Sequence, residues 1–425
     1  MQNVIQAFQK ILDEMYRTGS FYSGDMRNFL EPIFEREGYR DETESKEILV
    51  MHDAGVGDFV NLSPSLRAIR EKFPDSRVTM ICNLKSYSLA RTCPYVDSIY
   101  FFKKDFDFET FPDLYKTQMD LSKRLLNFKF DLAICFCHYI DGILLAYMSG
   151  AKKIVHYAGT LICDPNVWKL SIVIDLVNWK IPIQDYPNHI ADRYLGLIES
   201  MFEESIEDRS LEVWFEPRCM KLARDILKEH GFLGKRIFAI SFGGTESRKH
   251  YPPEKYVDLI ETISDEIPNA RFIVIGGKDD RHETEIFMDL FNYDPRIANL
   301  VEDLTYAETA AILSMCEMYI GNDTGTMHVA AAIEIPCLVP VCFPADHDIT
   351  PNSVLQMYSP RGVSSVWILP EKSLPECYEM EDRFFGCKSD HPHCIAQIKF
   401  ETMINGFHLL QNMIQNDERR CNWVF

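Results

Sequence analysis

The chain has 425 residues, 46% of them hydrophobic, and 64 acidic side chains against 44 basic ones leave a net charge of −20. That length suits two domains of ordinary size, and the apolar content excludes global disorder. The acidic balance argues against a nucleic-acid protein, which would carry a basic face, and gives no bulk attraction to an anionic membrane.

Residues 1–45 read as charged and helical, an N-terminal appendage that ends in the linker Arg40-Asp-Glu-Thr-Glu-Ser-Lys46. The first ten residues lack a continuous apolar h-region, so no signal peptide is expected. A first α/β domain is expected over 46–212. Ile48–Met51 is a short buried strand, followed by the turn His52-Asp-Ala-Gly55-Val-Gly57-Asp58. Ser63-Pro64 opens a helix through Lys72, and Arg77–Cys82 is the next strand. The theme continues with strands at Asp131–Phe136 and Lys153–His156 around a helix over Gly142–Ser149. Gly150 stands where a C-cap glycine belongs. A helix from Asn188 to Phe202 closes this half. The longest apolar stretch, Leu132–Met148, is broken by His138 and Asp141, and no uninterrupted run reaches the ~18 residues of a membrane span. A cytoplasmic location is the expectation.

A second α/β domain is expected over 213–369, with strands at Ile237–Phe242, Arg271–Gly276, Met318–Gly321 and Cys337–Cys342. Thr305-Tyr-Ala-Glu308 is a capping box that opens a helix to Met315. The segment 370–425 differs in character: it carries Cys377, Cys387 and Cys394 with His391 and His393, then a helix from Phe400 to Asn416. Of thirteen cysteines, Cys82, Cys135, Cys137, Cys316, Cys337 and Cys342 sit inside apolar runs, where they act as small buried hydrophobes. That usage suits a reducing compartment. The whole reads as two doubly wound, Rossmann-like domains facing across a cleft, with ligands at the strand ends.

Four turns carry chemistry. Asn322-Asp323-Thr324-Gly325-Thr326 follows a strand and opens a small-residue helix. Its N–H groups and hydroxyls suit a phosphate, with His328 as a further donor; the same pattern also serves as an ordinary helix cap. Gly55-Val-Gly57-Asp58 follows the first strand, its glycines allowing close approach of a ligand. Asp58 there reads either as an N-cap or as a general base. Ser241-Phe-Gly-Gly-Thr245-Glu-Ser-Arg-Lys249 runs from a strand to a loop whose lysine would neutralise a diphosphate or stand in solvent. Ile275-Gly276-Gly-Lys-Asp-Asp280 ends a strand in glycines, and its acids could meet ribose hydroxyls.

In order, Gly57-Asp58 with Ser63-Pro-Ser-Leu-Arg-Ala68, Lys249-His-Tyr-Pro-Pro-Glu-Lys-Tyr256, Asn299-Leu-Val-Glu-Asp-Leu-Thr-Tyr-Ala-Glu308 and Asn322-Asp-Thr-Gly-Thr-Met-His328 resemble the family 9 glycosyltransferases, the ADP-heptose:lipopolysaccharide heptosyltransferases and relatives. The resemblance runs from about Ile48 to Arg361. It implies a GT-B fold, with the first domain holding the acceptor and the second a nucleotide-sugar. It also implies inverting transfer that requires no cofactor, onto a surface glycan such as lipopolysaccharide core or onto a protein. Asp58 would be the catalytic base. Lys249 would contact the donor's phosphate or sugar and Asp323 its sugar, while Thr324, Gly325 and His328 would cradle the diphosphate. Thr245 joins this donor-binding set, and Gly55, Gly57 and Gly276 supply backbone turns.

The chain departs from the family in three places. Residues 1–45 lie outside the usual core. Basic spots are local, such as Lys103-Lys104 and Lys152-Lys153, which puts a lipid-borne acceptor in question while leaving a peripheral membrane contact and an oligomer open. The turn Phe343-Pro-Ala-Asp-His-Asp replaces a Gly-Pro-Thr-like one. Cys377-x9-Cys387-x6-Cys394, with His391, His393 or Cys421, could make a four-ligand structural metal site, although the spacing is not that of a standard finger. Rival readings are a nucleotide-sugar 2-epimerase and a non-catalytic binding module.

Overall fold

The computed structural model describes residues 47–102, 125, 128–137, 142, 145–147, 149–158, 179–182, 189–244, 246–343, 354–374 and 391–424. The appendage expected over 1–45, Thr245, Cys377, Cys387 and Lys103-Lys104 lie outside them. The chain forms two compact units. One takes residues up to Gly55, Ser65–Tyr186 and Tyr194–Glu207; the other takes Val56–Pro64, Pro187–Arg193 and Asp208–Phe425.

The first unit is built on β1 (Glu47–Met51), β2 (Arg77–Asn83), β3 (Ser98–Phe102), β4 (Leu132–Cys135), β5 (Lys153–Ala158) and β6 (Trp179–Pro182), in the spatial order β3-β2-β1-β4-β5-β6. Every pairing is parallel, with Ile48 opposite both Val78 and Leu132. Ile48, Leu49, Val50 and Met51 are fully buried. A parallel sheet is covered on both faces, which is why β1 is a continuous apolar run rather than an alternating one. Tyr194, from the helix Ile190–Phe202, meets Phe136 edge-on at 5.7 Å on this core.

The second unit holds β7 (Arg236–Ser241), β8 (Ala270–Val274), β9 (Ile297–Asn299), β10 (Met318–Gly321), β11 (Cys337–Pro340), β12 (Ser365–Ile368) and β13 (Cys421–Val424), in the order β13-β12-β11-β10-β7-β8-β9. This sheet too is wholly parallel. Phe238, Ile240, Phe242, Tyr256, Phe287 and Phe407 anchor its core. In each sheet the winding reverses beside the first strand, at β1/β4 and at β7/β10. Such a reversal leaves the carboxyl ends of two neighbouring strands open where their connections diverge, and ligands of doubly wound sheets bind there.

The expected strands of both halves are present, and the helix read from Ser63 runs to Lys72. The C-terminal segment, which the sequence set apart from residue 370, builds onto the second unit. Its helix Phe400–Gln415 lies against β11 and β12, and β13 pairs with β12 as an extra parallel strand. Gly406 allows this: a Cβ there would lie 2.2 Å from Ile368 Cδ1. At four residues, β13 is too short for its periodicity to announce it. Among the described residues, no helix is long and apolar enough to cross a membrane. The six cysteines read as small hydrophobes are all buried.

Candidate active site

The candidate site lies in the second unit, at the carboxyl ends of β7 and β10. Asp280 fastens the β7 and β8 ends together. Its carboxylate accepts the Gly243 N–H at 2.6 Å, the Gly277 N–H at 2.9 Å and the Ser241 hydroxyl at 3.3 Å. Burial pushes its pKa up, against the pull of those three donors. A Cβ on Gly243 or Gly276 would fall 2.5 Å or 2.2 Å from the Asp280 carboxyl carbon. Gly276 therefore serves its turn by clearing room for a buried carboxylate, not for a ligand. Asp280, read from the sequence as a partner for ribose, is committed inside the protein.

After β7 the chain crosses Gly244, whose φ of +148° lies in the glycine-favoured region. A one-turn 3-10 helix, Ser247–Lys249, follows. The next residue, His250, is buried and donates from both ring nitrogens, Nδ1 to Glu283 Oε1 at 2.7 Å and Nε2 to the Gly244 carbonyl at 3.0 Å. Two acceptors require the imidazolium. Burial alone would lower its pKa, but the Glu283 hydrogen bond, the Gly244 carbonyl and the nearby carboxylates raise it above the usual histidine value. Glu283 is correspondingly held below the usual glutamate value: burial opposes this, and His250 wins. A raised histidine stabilises the fold fully below pH ~6.5 and loses that contribution as pH climbs through its folded pKa. A lowered glutamate contributes above pH ~4.5 and fails as pH falls through its own folded pKa. The pair therefore supports the loop best between these limits. Thermal melts of wild type minus His250→Ala are expected to show a difference that shrinks as pH rises above neutrality.

This loop presents Lys249. Its Nζ lies 3.1 Å from Asp323 Oδ2 and 3.5 Å from Glu246 Oε1. Burial presses the ammonium toward neutrality, but the carboxylates of Asp323 and Glu246 outweigh it and hold Lys249 above the usual lysine value. Arg248 pairs with Glu246 and reaches Cys342 Sγ at 3.7 Å.

Asp323 comes from the β10 turn, which Asn322 fixes. Asn322 is fully buried, donates its amide to the Phe242 carbonyl and accepts the Tyr251 N–H at 3.2 Å. One side chain thus ties the β10 turn to both ends of the Lys249 loop. Thr324 is the N-cap of a helix, α1 (Gly325–Ala332), and has extended backbone. Its hydroxyl does not cap the helix; it stands 3.4 Å from the Tyr319 hydroxyl. The first N–H groups of α1 are therefore not answered by that side chain, and a helix amino end carries roughly half a positive charge.

Asp58 belongs to a short helix, Val56–Asn61, which is part of this same unit and packs on α1. Asp58 is half-buried in its first turn. Glycines make the packing close. A Cβ on Gly325 would lie 3.1 Å from Val56 Cβ, and one on Gly57 would lie 2.5 Å from His328 Cδ2. Gly57 therefore sits inside a helix and admits a histidine ring, where the sequence suggested a turn opened to a ligand; Gly55, exposed, precedes the helix. Gly57→Ala would gain up to ~1 kcal/mol of helix propensity, but overpacking costs ~1–3 kcal/mol. Chemical denaturation is expected to show a net loss of stability.

His328 is buried at this junction, with Asn61 Nδ2 at 3.2 Å from its Nδ1. Burial lowers its pKa, with Lys249 acting in the same sense, and this outweighs the opposing pull of Asp323 and Asp58. The structure thus gathers Asp58, Lys249, Asp323, Thr324, Gly325 and His328 in one unit. Asn322, Asp280, His250 and Asn61 were missed as supports. In the sequence Asn322 stands out only as part of a motif; its position directly after an apolar strand is the available signal. His391 and His393 are described, but no group of three or more metal-ligating side chains occurs among the described residues.

The model of the family described as glycosyltransferase family 9 (heptosyltransferase) matches residues 119–353, more than half of the chain. Lipooligosaccharide heptosyltransferase 2 of Campylobacter jejuni is 22% identical over 283 residues, covering 66% of this chain and 76% of that protein. Among solved structures, a family 9 glycosyl transferase from Veillonella parvula superposes with a TM-score of 0.65 at 15% identity, over 87% of this chain and 98% of that one. The E. coli ADP-heptose lps heptosyltransferase II gives 0.63 at 13% identity, over 88% and 99%. These likenesses carry the fold, two doubly wound α/β units of the GT-B kind, and with the family match they show that the chain is a glycosyltransferase belonging to glycosyltransferase family 9.

Proposed function

We propose that the chain is an inverting heptosyltransferase that moves a heptose from ADP-heptose to a hydroxyl of a surface glycan such as lipopolysaccharide core. The observation that carries this reading is the Lys249–Asp323 pair beside the amino end of α1. The helix end and the ammonium supply positive charge where a departing diphosphate becomes more negative. Asp323 supplies a carboxylate suited to sugar hydroxyls. The matched family's description and the E. coli neighbour's ADP-heptose support the choice of donor.

In the proposed step the acceptor oxygen attacks the anomeric carbon while Asp58 takes its proton. The new C–O bond forms as the bond from the anomeric carbon to the phosphate oxygen breaks, and the nucleoside diphosphate leaves with the electron pair. Positive charge builds on the sugar and negative charge on the leaving group. Lys249 and the α1 N–H groups would meet that negative charge as a preorganised set of donors. Attack opposite the leaving group inverts the anomeric centre. The net charge of −20 gives no bulk attraction to an anionic membrane, and a protein hydroxyl is the second acceptor compatible with it.

The test is incubation with a panel of ADP-, GDP- and UDP-sugars plus acceptor, followed by detection of diphosphate, free sugar and product anomer. ADP release with an inverted product is expected from ADP-heptose. An epimerised donor without diphosphate release, or a retained anomer, would contradict the proposal.

A further inference from the structure

Asn61 and His328 come from different helices and meet with no solvent exposure at Asn61. The Asn61 amide nitrogen donates to the Gly57 carbonyl at 2.9 Å and faces His328 Nδ1 at 3.2 Å. A carbonyl oxygen only accepts, so the amide must turn its NH₂ toward Gly57. The second amide hydrogen then points at Nδ1, which must offer a lone pair. The opposite amide orientation would set Oδ1 against the Gly57 carbonyl. It would also strand two donors at the place where the buried Oδ1 now has no partner in the structure.

We infer that Asn61 is a positioning residue, fixing His328 as the neutral imidazole with its proton on Nε2, so that the site offers the donor an uncharged N–H beside Asp58. This rests on the reading of the site as a nucleotide-sugar site. The groups that act on His328 are Asp58 on the adjoining helix, Asp323 in the turn, Lys249 in the facing loop and His189 in the segment Pro187–Arg193; the Tyr358 ring packs edge-on at 6.4 Å. Two carboxylates in that set invite a proton onto the ring. An imidazolium there would set a second positive charge against these carboxylates, whereas a neutral ring leaves Asp58 to the acceptor hydroxyl. Gly57 belongs to the same device, because only a missing side chain lets the ring reach Asn61.

The inference has a readout that needs no substrate. In protein labelled with ¹⁵N-histidine, long-range ¹H–¹⁵N correlation, assigned by His328→Gln, is expected to show His328 Nδ1 unprotonated and Nε2 protonated at pH 7. Asn61→Asp replaces the amide donor by an acceptor. It should move the proton onto Nδ1, charge the ring at pH 7 and lower kcat about tenfold with little change in KM. It should also shift the acidic limb of the pH–rate profile. Protonated Nδ1 in the wild type would overturn the inference, as would Asn61→Asp losing activity with an unchanged tautomer, the mark of a merely structural role. If Asn61→Asp does not fold, the wild-type spectrum decides alone. Failure of every sugar donor in the panel above would refute the functional reading while leaving the tautomer result standing.

Discussion

Asp58→Ala is expected to lower sugar transfer by about 10²–10⁴-fold, the range a positioned general base supplies. Binding of the nucleotide-sugar should change little, so the loss should appear in kcat. The expectation rests on position. Asp58 lies in the first turn of a short helix that packs on α1, in the unit that also carries Lys249 and Asp323. Asp58→Asn should be about as damaging, because the amide keeps the shape but cannot take a proton at neutral pH. Stability should hardly move, since a half-buried carboxylate near a helix amino end contributes ~0.3–1 kcal/mol. Single-turnover rates with saturating donor separate these effects. Turnover preserved in both variants would remove Asp58 from the base role.

The second large effect is expected at Lys249. Removing a preorganised positive or N–H donor at a developing negative charge costs about 10²–10³ in kcat. Here a further penalty follows. Lys249 and Asp323 side chains are 21% and 12% exposed, so Lys249→Ala leaves a largely shielded carboxylate without its main partner, close to where the diphosphate would sit. The variant should lose donor affinity as well as rate. Lys249→Arg should recover part of the rate, because charge is kept while a planar fork replaces a point charge. Double-mutant comparison with Asp323→Asn should show strong coupling, since the two residues touch. Additive losses would contradict the pairing as the basis of the site.

Much of this fold could be read from residues alone. Parallel strands buried on both faces appear as short apolar blocks, which made β1, β7, β8, β10 and β11 legible. The glycine and Asx turns at their ends made the candidate site legible. Strand β13 was not, because four residues after a polar turn carry no period. The grouping of Val56–Pro64 with the second unit was not either: the segment follows β1 directly, and its partner α1 lies more than 260 residues further on. Glycines misled in one consistent way. Gly57 reads as an opening for a ligand and Gly276 as a backbone turn, but their missing side chains make room for His328 and Asp280. Sequence marks that space is needed and leaves unsaid what fills it. Asn322 and Asn61 escaped for a related reason, since their value lies in bonds to residues distant in sequence.

In the proposed site the β7/β10 strand ends, Lys249 and the amino end of α1 hold a diphosphate. Calorimetric titration of the purified protein with ADP and with adenosine tests it most directly. ADP is expected to bind at least tenfold more tightly than adenosine, and Lys249→Ala to remove most of that difference. Equal affinity for the two ligands, or an ADP advantage untouched by Lys249→Ala, would contradict it.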